Sequence, residues 1–405
     1  MGEETLVPKL RFVEFDDEWK NVILSDISKI RDGTHASHKT VDDGVYLLSS
    51  KDVVNGKIII SDDALQISHE DYDKLHKKFK IENGDVLLTI IGSTCRSAVI
   101  KDYNNDYTFR SSVAIIKTSE NPYFLENYFK TPIFIHDFNK RLNVTAYESI
   151  SLGDLSKINV KLPTISEQQK IVSFISNIDK KIDLLERKHQ KYQDFKKYLM
   201  QQIFVQKLRF NENCDEIKLK NIVDYQNSKA LEKYFNDSEG YKVISIGNYS
   251  TDGQYLDNNV FISKNISEVQ KYVLNKNDLA MVLNDKTKEG NIIGRCILID
   301  ENDKYVYNQR TARLTPKIDI NPYYLHQLIN SPIIHKRIFA LSQGATQIYI
   351  NKGDLLNIML PIPDINIQNE ISNLFENVNK KIELSSFKLN QINLFKKGLL
   401  QQMFV

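Results

Sequence analysis

Residues 195–205 read FKKYLMQQIFV and residues 395–405 read FKKGLLQQMFV, with 8 identities in 11 positions at an offset of 200. The same offset relates NIDKKIDLL (177–185) to NVNKKIELS (377–385), NPYFLENYFKTP (121–132) to NPYYLHQLINSP (321–332), and the Gly-Asp-Leu at 153–155 to that at 353–355. Near the start, VPKLRF (7–12) matches VQKLRF (205–210) at an offset of 198. Solenoid repeats have periods of roughly 20–50 residues, far shorter than this one. The chain is one domain-sized unit written twice.

Each unit opens with short runs rich in β-branched and aromatic residues, separated by turn residues. GVYLLSS (44–50), KIIIS (57–61), GDVLLTIIG (84–92) and SAVI (97–100) stand in the first, with YKVISIG (241–247), DLAMVL (278–283) and IIGRCILI (292–299) in the second. Such runs predict the strands of an α+β domain. A helical patch follows at Asn121-Pro122 and Asn321-Pro322, and Leu162-Pro163 and Leu360-Pro361 close each globular part. The expected division is a first head at 1–165, a long helix at 166–205, a second head at 206–363 and a second long helix at 364–405.

Beyond those prolines the period changes. Ser166 and Gln169 form a capping-box signature. Ile171, Ile175, Ile178, Ile182, Leu185, His189 and Tyr192 then follow alternating spacings of 4 and 3. Ile371, Phe375, Val378, Ile382, Ser385, Leu389 and Ile392 keep that register in the second copy. This is an a/d seam, with one polar member in each helix, and it predicts two helices of about 60 Å that pack on each other. A single such helix would read as a core helix of its own domain; two matched ones, each with a polar residue at a different seam position, favour packing on each other. The first helix runs straight into the second head, so parallel packing lacks the return connection it needs. The expected fold is therefore two pseudo-twofold-related globular domains joined by two long antiparallel helices.

Lys+Arg 54 against Asp+Glu 52 gives a net charge of +2, which neither favours nor excludes a polyanionic partner. Its distribution is uneven: 21 basic and 25 acidic residues in 1–165 give −4, whereas 8 basic and 5 acidic in 166–205 give +3. Cys95, Cys214 and Cys296 are odd in number and widely spaced, as expected of reduced thiols and not of a disulfide framework or zinc site. No long apolar run or leader-like start is present, so the expected location is the cytoplasm with no membrane partner.

The chain carries no phosphate-cradling glycine loop, HExxH pair, GxSxG elbow or metal-spaced His/Cys cluster. His35 and His38 share a polar loop without a third ligand nearby and are expected to be surface residues. Asn121-Pro122-Tyr123-Phe124 and Asn321-Pro322-Tyr323-Tyr324 approach the Asn-Pro-Pro-Tyr signature of amino-methyltransferases but lack its second proline. Asparagine as cap with proline at the first helical position accounts for both copies. A binding role is expected, with no catalytic residue, metal or cofactor in this chain.

Arg31-Asp32-Gly33-Thr34-His35, LPTISEQQKIVSFISNIDKKID, its copy LPIPDINIQNEISNLFENVNKKIE, the terminal FKK-x-L-x-QQ-x-FV blocks and SQGATQIYINKGDL (342–355) carry a further signal. Over essentially its whole length the chain resembles the DNA-specificity subunit of Type I restriction–modification systems. The resemblance implies two target-recognition domains, each reading one half of a bipartite, asymmetric sequence in double-stranded DNA. It also implies a helical stalk that sets the spacer and docks two modification (methyltransferase) subunits. S-adenosylmethionine for adenine methylation, and ATP with Mg for a restriction/translocase subunit, would belong to those partners. The loop Asp32-Gly33-Thr34-His35 is replaced by YQNSKALEKYF (225–235) in the second unit, so the heads should read different bases.

Base edges are read by cationic, amide and hydroxyl side chains on loops. The first head offers Arg31, Thr34, His35, Lys39 and Arg96. In the second stand Asn227, Lys229, Lys286, Lys288, Arg295, Thr346 and Gln347. Tyr147 and Tyr349 are expected to pack rather than stack on bases. Two rival assignments stay open on sequence alone: a self-sufficient DNA methyltransferase and a coiled-coil scaffold.

Overall fold

The structure is a computed structural model and describes residues 6–54, 56–144, 147–205 and 214–405. The 206–210 part of the VQKLRF repeat therefore lies outside the described residues. The chain divides into two compact units, one formed by residues 1–186 with 387–405 and the other by residues 187–386.

The first unit is built on a four-stranded antiparallel sheet in the order Ser28–Asp32, Val113–Thr118, Val86–Thr89, Ser97–Val99. Its central strands are buried on both faces, and alternation assigns their side chains to two cores. Val86, Leu88, Ala114 and Ile116 join Trp19, Phe124 and Phe404 in one cluster, while Leu87, Val113, Ile115 and Ala98 join Leu48 and Phe109 in another. A smaller sheet places Val45–Leu48 parallel to Tyr107–Phe109 and antiparallel to Gln66–Ile67. The second unit repeats this plan with Val223–Asn227, Thr311–Pro316, Leu279–Val282 and Cys296–Leu298. Its small sheet again has a parallel pair, Tyr241–Ile244 with Tyr305–Tyr307. The units differ between their sheets: helix His69–His76 in the first stands where the second has the 3-10 turn Ser267–Tyr272.

Both Asn-Pro segments start helices. The Asn121 side chain accepts bonds from the amides of Tyr123 (3.0 Å) and Phe124 (3.2 Å) at the start of Pro122–Phe129, and Asn321 does the same for Pro322–Ile329. Each Asn backbone amide is then held by a glutamine of the following long helix, Gln168 at 3.1 Å and Gln368 at 2.9 Å. This second bond is a structural use of the motif that requires no catalytic role.

The long helices span Ile165–Phe204 and Ile365–Gln402. Their first cap differs from the sequence expectation: Thr164, not Ser166, closes the helix, its carbonyl accepting from Gln168 (2.9 Å) and its hydroxyl from Glu167 (3.4 Å). Gln169 instead accepts from the Asn121 side-chain amide at 3.0 Å. Within the first unit, Ile171, Val172 and Ile175 share a core with Leu399, Leu400, Met403 and Phe404, and Lys396 donates to Asp179 at 2.5 Å. Within the second, Leu199, Ile203 and Phe204 meet Ile371, Phe375 and Val378, with Phe204 stacked on Phe375. Residue numbers rise along one helix as they fall along its neighbour, so the packing is antiparallel in each unit. Ile182 is buried, whereas Ile178, Leu185, Ile382 and Leu389 are half-buried. The two polar seam residues meet: His189 Nδ1 donates to Ser385 Oγ at 2.7 Å, and that hydroxyl donates to the Ile382 carbonyl. A polar pair at a seam fixes register, because a slipped register leaves both groups unpaired.

The first unit also brings residues from the two ends of the sequence together. The Leu10 amide donates to the Gln402 carbonyl at 2.9 Å, the Trp19 amide to the Leu6 carbonyl at 3.0 Å, and Leu6 and Val405 pack on one cluster. A circular permutant with a short linker joining these two segments, opened between 205 and 206, is expected to fold and to keep its melting temperature within a few degrees. Calorimetry checks this; a permutant without a cooperative transition would contradict it.

Candidate nucleic-acid interface

Hydrogen bonds gather several connections at one end of each four-stranded sheet. In the first unit, the loop after Ser28–Asp32 is tied down by Gly33 N to Val113 O (3.1 Å) and Thr34 N to Phe109 O (2.9 Å). Ser111 N returns a bond to Thr34 O (3.0 Å), and Ser112 O accepts from Ile90 N (2.9 Å), where the 90–96 loop begins. That loop is joined in turn to Asn143–Val144 and Glu148–Ser149 through Ile150 N to Ile90 O (3.0 Å) and Gly92 N to Glu148 O (3.0 Å). Gly33 sits so close that a Cβ there would lie 2.0 Å from the Phe109 carbonyl oxygen, so the loop can pass only as glycine.

The second unit uses the same supports. Ser228 N donates to Thr311 O (3.3 Å), Leu283 N to Arg310 O (2.8 Å) and Ile350 N to Leu283 O (3.0 Å). Asn284–Asp285 pairs with Ile348–Tyr349. Asp32 and Asn227 occupy matching strand ends, opposite Ala114 and Ala312. The scaffold is conserved between the repeats while the side chains it presents are not.

Of the residues singled out in the first head, Thr34 lies at this junction, and Arg96 closes the 90–96 loop with its amide bonded to Thr89 Oγ1 at 2.8 Å. Thr34 Oγ1 also meets His38 Nε2 at 3.0 Å, and exposed His35 pairs with Asp32 at 2.6 Å. Lys39 is exposed further along the loop, and the Arg31 guanidinium lies over the Phe79 ring, 5.3 Å from its centroid. In the second head, Asn227, Lys229, Lys286, Lys288, Thr346 and Gln347 are all exposed. Buried Asp285 shapes the lysine loop by accepting from Thr287 N and Oγ1 (both 2.9 Å) and from Ile292 N (3.0 Å). The loop at 228–240 is held by Glu232, which accepts from Asn308 Nδ2 at 3.0 Å and from Gln309. Burial opposes ionisation of Glu232, yet these bonds hold its carboxyl below the ordinary range.

Arg295 is engaged with the protein itself: its guanidinium donates to the Asn330 carbonyl, and desolvation lowers its pKa. Tyr147 departs from the packing role expected of it, being 74% exposed, and Tyr349 is 40% exposed. The sequence reading passed over Arg110 and Arg310, which stand in the turn at the centre of the junction. The signal was the turn itself, FRSSV (109–113) and NQRTA (308–312), an arginine between two buried strands. Among the described residues no group of three or more His, Cys, Asp or Glu is placed to hold a metal ion. Nor is any helix among them long and apolar enough to cross a membrane.

The family described as the Type I restriction modification DNA specificity domain matches residues 16–193 and again 211–394. The chain belongs to that family. The Type I restriction enzyme MjaVIII specificity subunit of Methanocaldococcus jannaschii is 26% identical to this specificity-family chain over 262 residues. That match takes in 60% of this chain and spans only 60% of the relative's length. The S subunit of the Type I restriction–modification system of M. genitalium superposes with a TM-score of 0.58 at 13% identity, covering 98% of this chain and 99% of that one. A chain from a structure concerned with complex assembly and conformational transition of the type I R-M system gives 0.59 at 15% identity, over 94% and 96%. At such identities the likeness shows a shared fold, two domains with long helices.

Proposed function

We propose that this chain is the non-catalytic DNA-specificity subunit of a Type I restriction–modification complex. Residues 1–165 and 206–363 act as target-recognition domains, each reading one half of a split, asymmetric target in double-stranded DNA. The helical segments 166–205 and 364–405 set the spacer between half-sites and dock two modification subunits. The observation that carries this assignment is the repeated frame with unlike loops: equivalent backbone supports at 33 and 228, at 90 and 283, and at 150 and 350 hold different side chains. Duplication with divergence only where polar loops gather is what reading two different half-sites requires.

Docking has its own support. Leu184 and Leu384 are 66% and 53% exposed, and Phe195 and Phe395 are 47% and 56% exposed, at matching positions of the two helices. Two large apolar positions kept outward in both copies fit two copies of one partner better than solvent. Those partners would bring S-adenosylmethionine for adenine methylation, and a restriction/translocase subunit would bring ATP and Mg; the complex would work in the cytoplasm.

With a net charge of only +2, the isolated chain should bind duplex DNA weakly and with steep loss on adding salt. Adding the modification subunits should tighten specific binding by at least a hundredfold, and Leu184→Glu with Phe395→Glu should abolish that gain. Fluorescence anisotropy on a target duplex reads both. Nanomolar, sequence-specific binding by the chain alone at physiological salt would contradict the proposal.

A further inference from the structure

The turns that enter Val113–Thr118 and Thr311–Pro316 match by their hydrogen bonds. Arg110 N donates to Leu48 O (2.8 Å) as Asn308 N donates to Ile244 O (3.0 Å), so Arg110 and Asn308 are equivalent. Ser112 O accepts from Ile90 N (2.9 Å) as Arg310 O accepts from Leu283 N (2.8 Å), so Ser112 and Arg310 are equivalent. Each turn thus carries one arginine, at its first position in the first unit and at its last in the second.

At the vacated positions the counterparts do structural work. Asn308 is buried and bonds the Leu231 amide at 2.9 Å and Glu232 at 3.0 Å; Ser112 Oγ accepts from the Ser50 amide at 3.1 Å. The two arginines do none. Both are half-buried, and among the described residues neither guanidinium has a hydrogen bond, ion pair or ring contact. Other half-buried arginines here each bond to the protein, Arg11 to Glu167, Arg295 to the Asn330 carbonyl and Arg313 to Gln226 and the Val273 carbonyl. A half-buried guanidinium without a protein acceptor keeps its forked donors available to acceptors on another molecule. Arg310 also holds a left-handed backbone (φ 68°), which a non-glycine residue rarely keeps without a compensating use. Backbone ties position both turns: Thr34 bridges to Arg110 and Val113 N bonds Arg110 O at 3.1 Å, while Leu283 N bonds Arg310 O at 2.8 Å.

Resting on the proposed DNA-reading role, the geometry points to Arg110 and Arg310 as specificity-determining residues, each reading one guanine in its own half-site through O6 and N7. Guanidinium paired bidentately with guanine is the commonest specific major-groove contact. Moving the arginine by two residues along one conserved turn changes which base step it meets, and so diversifies the half-sites without altering the fold.

The test is selection of duplexes, randomised across both half-sites, by the full chain assembled with its modification subunits. The wild type should enrich a split sequence with a fixed guanine in each half. Arg110→Gln should relax one guanine in one half by roughly tenfold or more, and Arg310→Gln one guanine in the other, all remaining positions holding. Arg110→Met and Arg310→Met, which keep the apolar stem, should behave alike, and unchanged melting temperatures separate readout from folding. A split sequence enriched equally by wild type and variants, or one without guanine in either half, overturns the arginine proposal alone. Enrichment of no sequence by the wild-type complex overturns the DNA-reading role beneath it as well.

Discussion

Glu167→Ala is expected to destabilise the first unit by about 3–5 kcal/mol, the cost of stranding one partner of a buried ion pair. Its carboxylate, 1% exposed, accepts from Arg11 Nε (2.8 Å), Arg11 Nη2 (2.7 Å) and the Trp19 indole (3.3 Å). It also sits in the first turn of the long helix, where negative charge is favoured by the helix dipole. Removing it leaves half-buried Arg11 without its counter-ion, its Nη1 already unpartnered, and orphans the indole N–H. For a unit of this size the melting temperature should fall by on the order of 10 °C. Arg11→Met with Glu167→Leu should recover much of that loss, since replacing both charges leaves nothing stranded. The second copy has Ile367 at the matching position, so the effect belongs to the first unit alone. Two-transition calorimetry reads it; an unshifted first-unit transition in Glu167→Ala would contradict it.

Exchange of residues 1–165 for the corresponding head of another family member is expected to replace one half of the target and leave the other untouched. The grounds are local: Thr34, Arg96 and the 110–112 turn are supported by hydrogen bonds within the first unit, and Lys229, Lys286 and Lys288 stand on loops supported within the second. The junction at 165/166 cuts through the core in which Phe124 and Leu162 meet Ile171, Ile175 and Leu399. A donor head must therefore keep apolar residues at those contacts, or the chimera will lose stability before it changes specificity. Sequencing of duplexes selected by the assembled chimera checks this, and change in both halves together would sink the division of labour.

The antiparallel helices were legible because a period of 3.5 and an offset of 200 are both written in the chain, and polar His189 and Ser385 marked the register. The cap was misplaced because Ser166 and Gln169 match a local signature, whereas Thr164 follows Pro163 directly and starts the helix earlier. Sheet order and the junction of loops were not legible. They depend on bonds between residues far apart in sequence, such as Gly33 to Val113 and Ile90 to Ile150, which no window of neighbouring residues contains. Arg295 shows the same limit in reverse, since its acceptor, the Asn330 carbonyl, lies 35 residues away. An exposed tyrosine such as Tyr147 cannot be told from a packed one by composition alone.

The central claim is that two unlike heads on one repeated frame give a bipartite target. Its most direct test is methylation-sensitive sequencing of DNA from cells that express the modification subunits with and without this chain. The account predicts adenine methylation at one split, asymmetric sequence with a fixed spacer, present only when the chain is present. The same methylation without the chain, or methylation at a single uninterrupted or palindromic site, would contradict it.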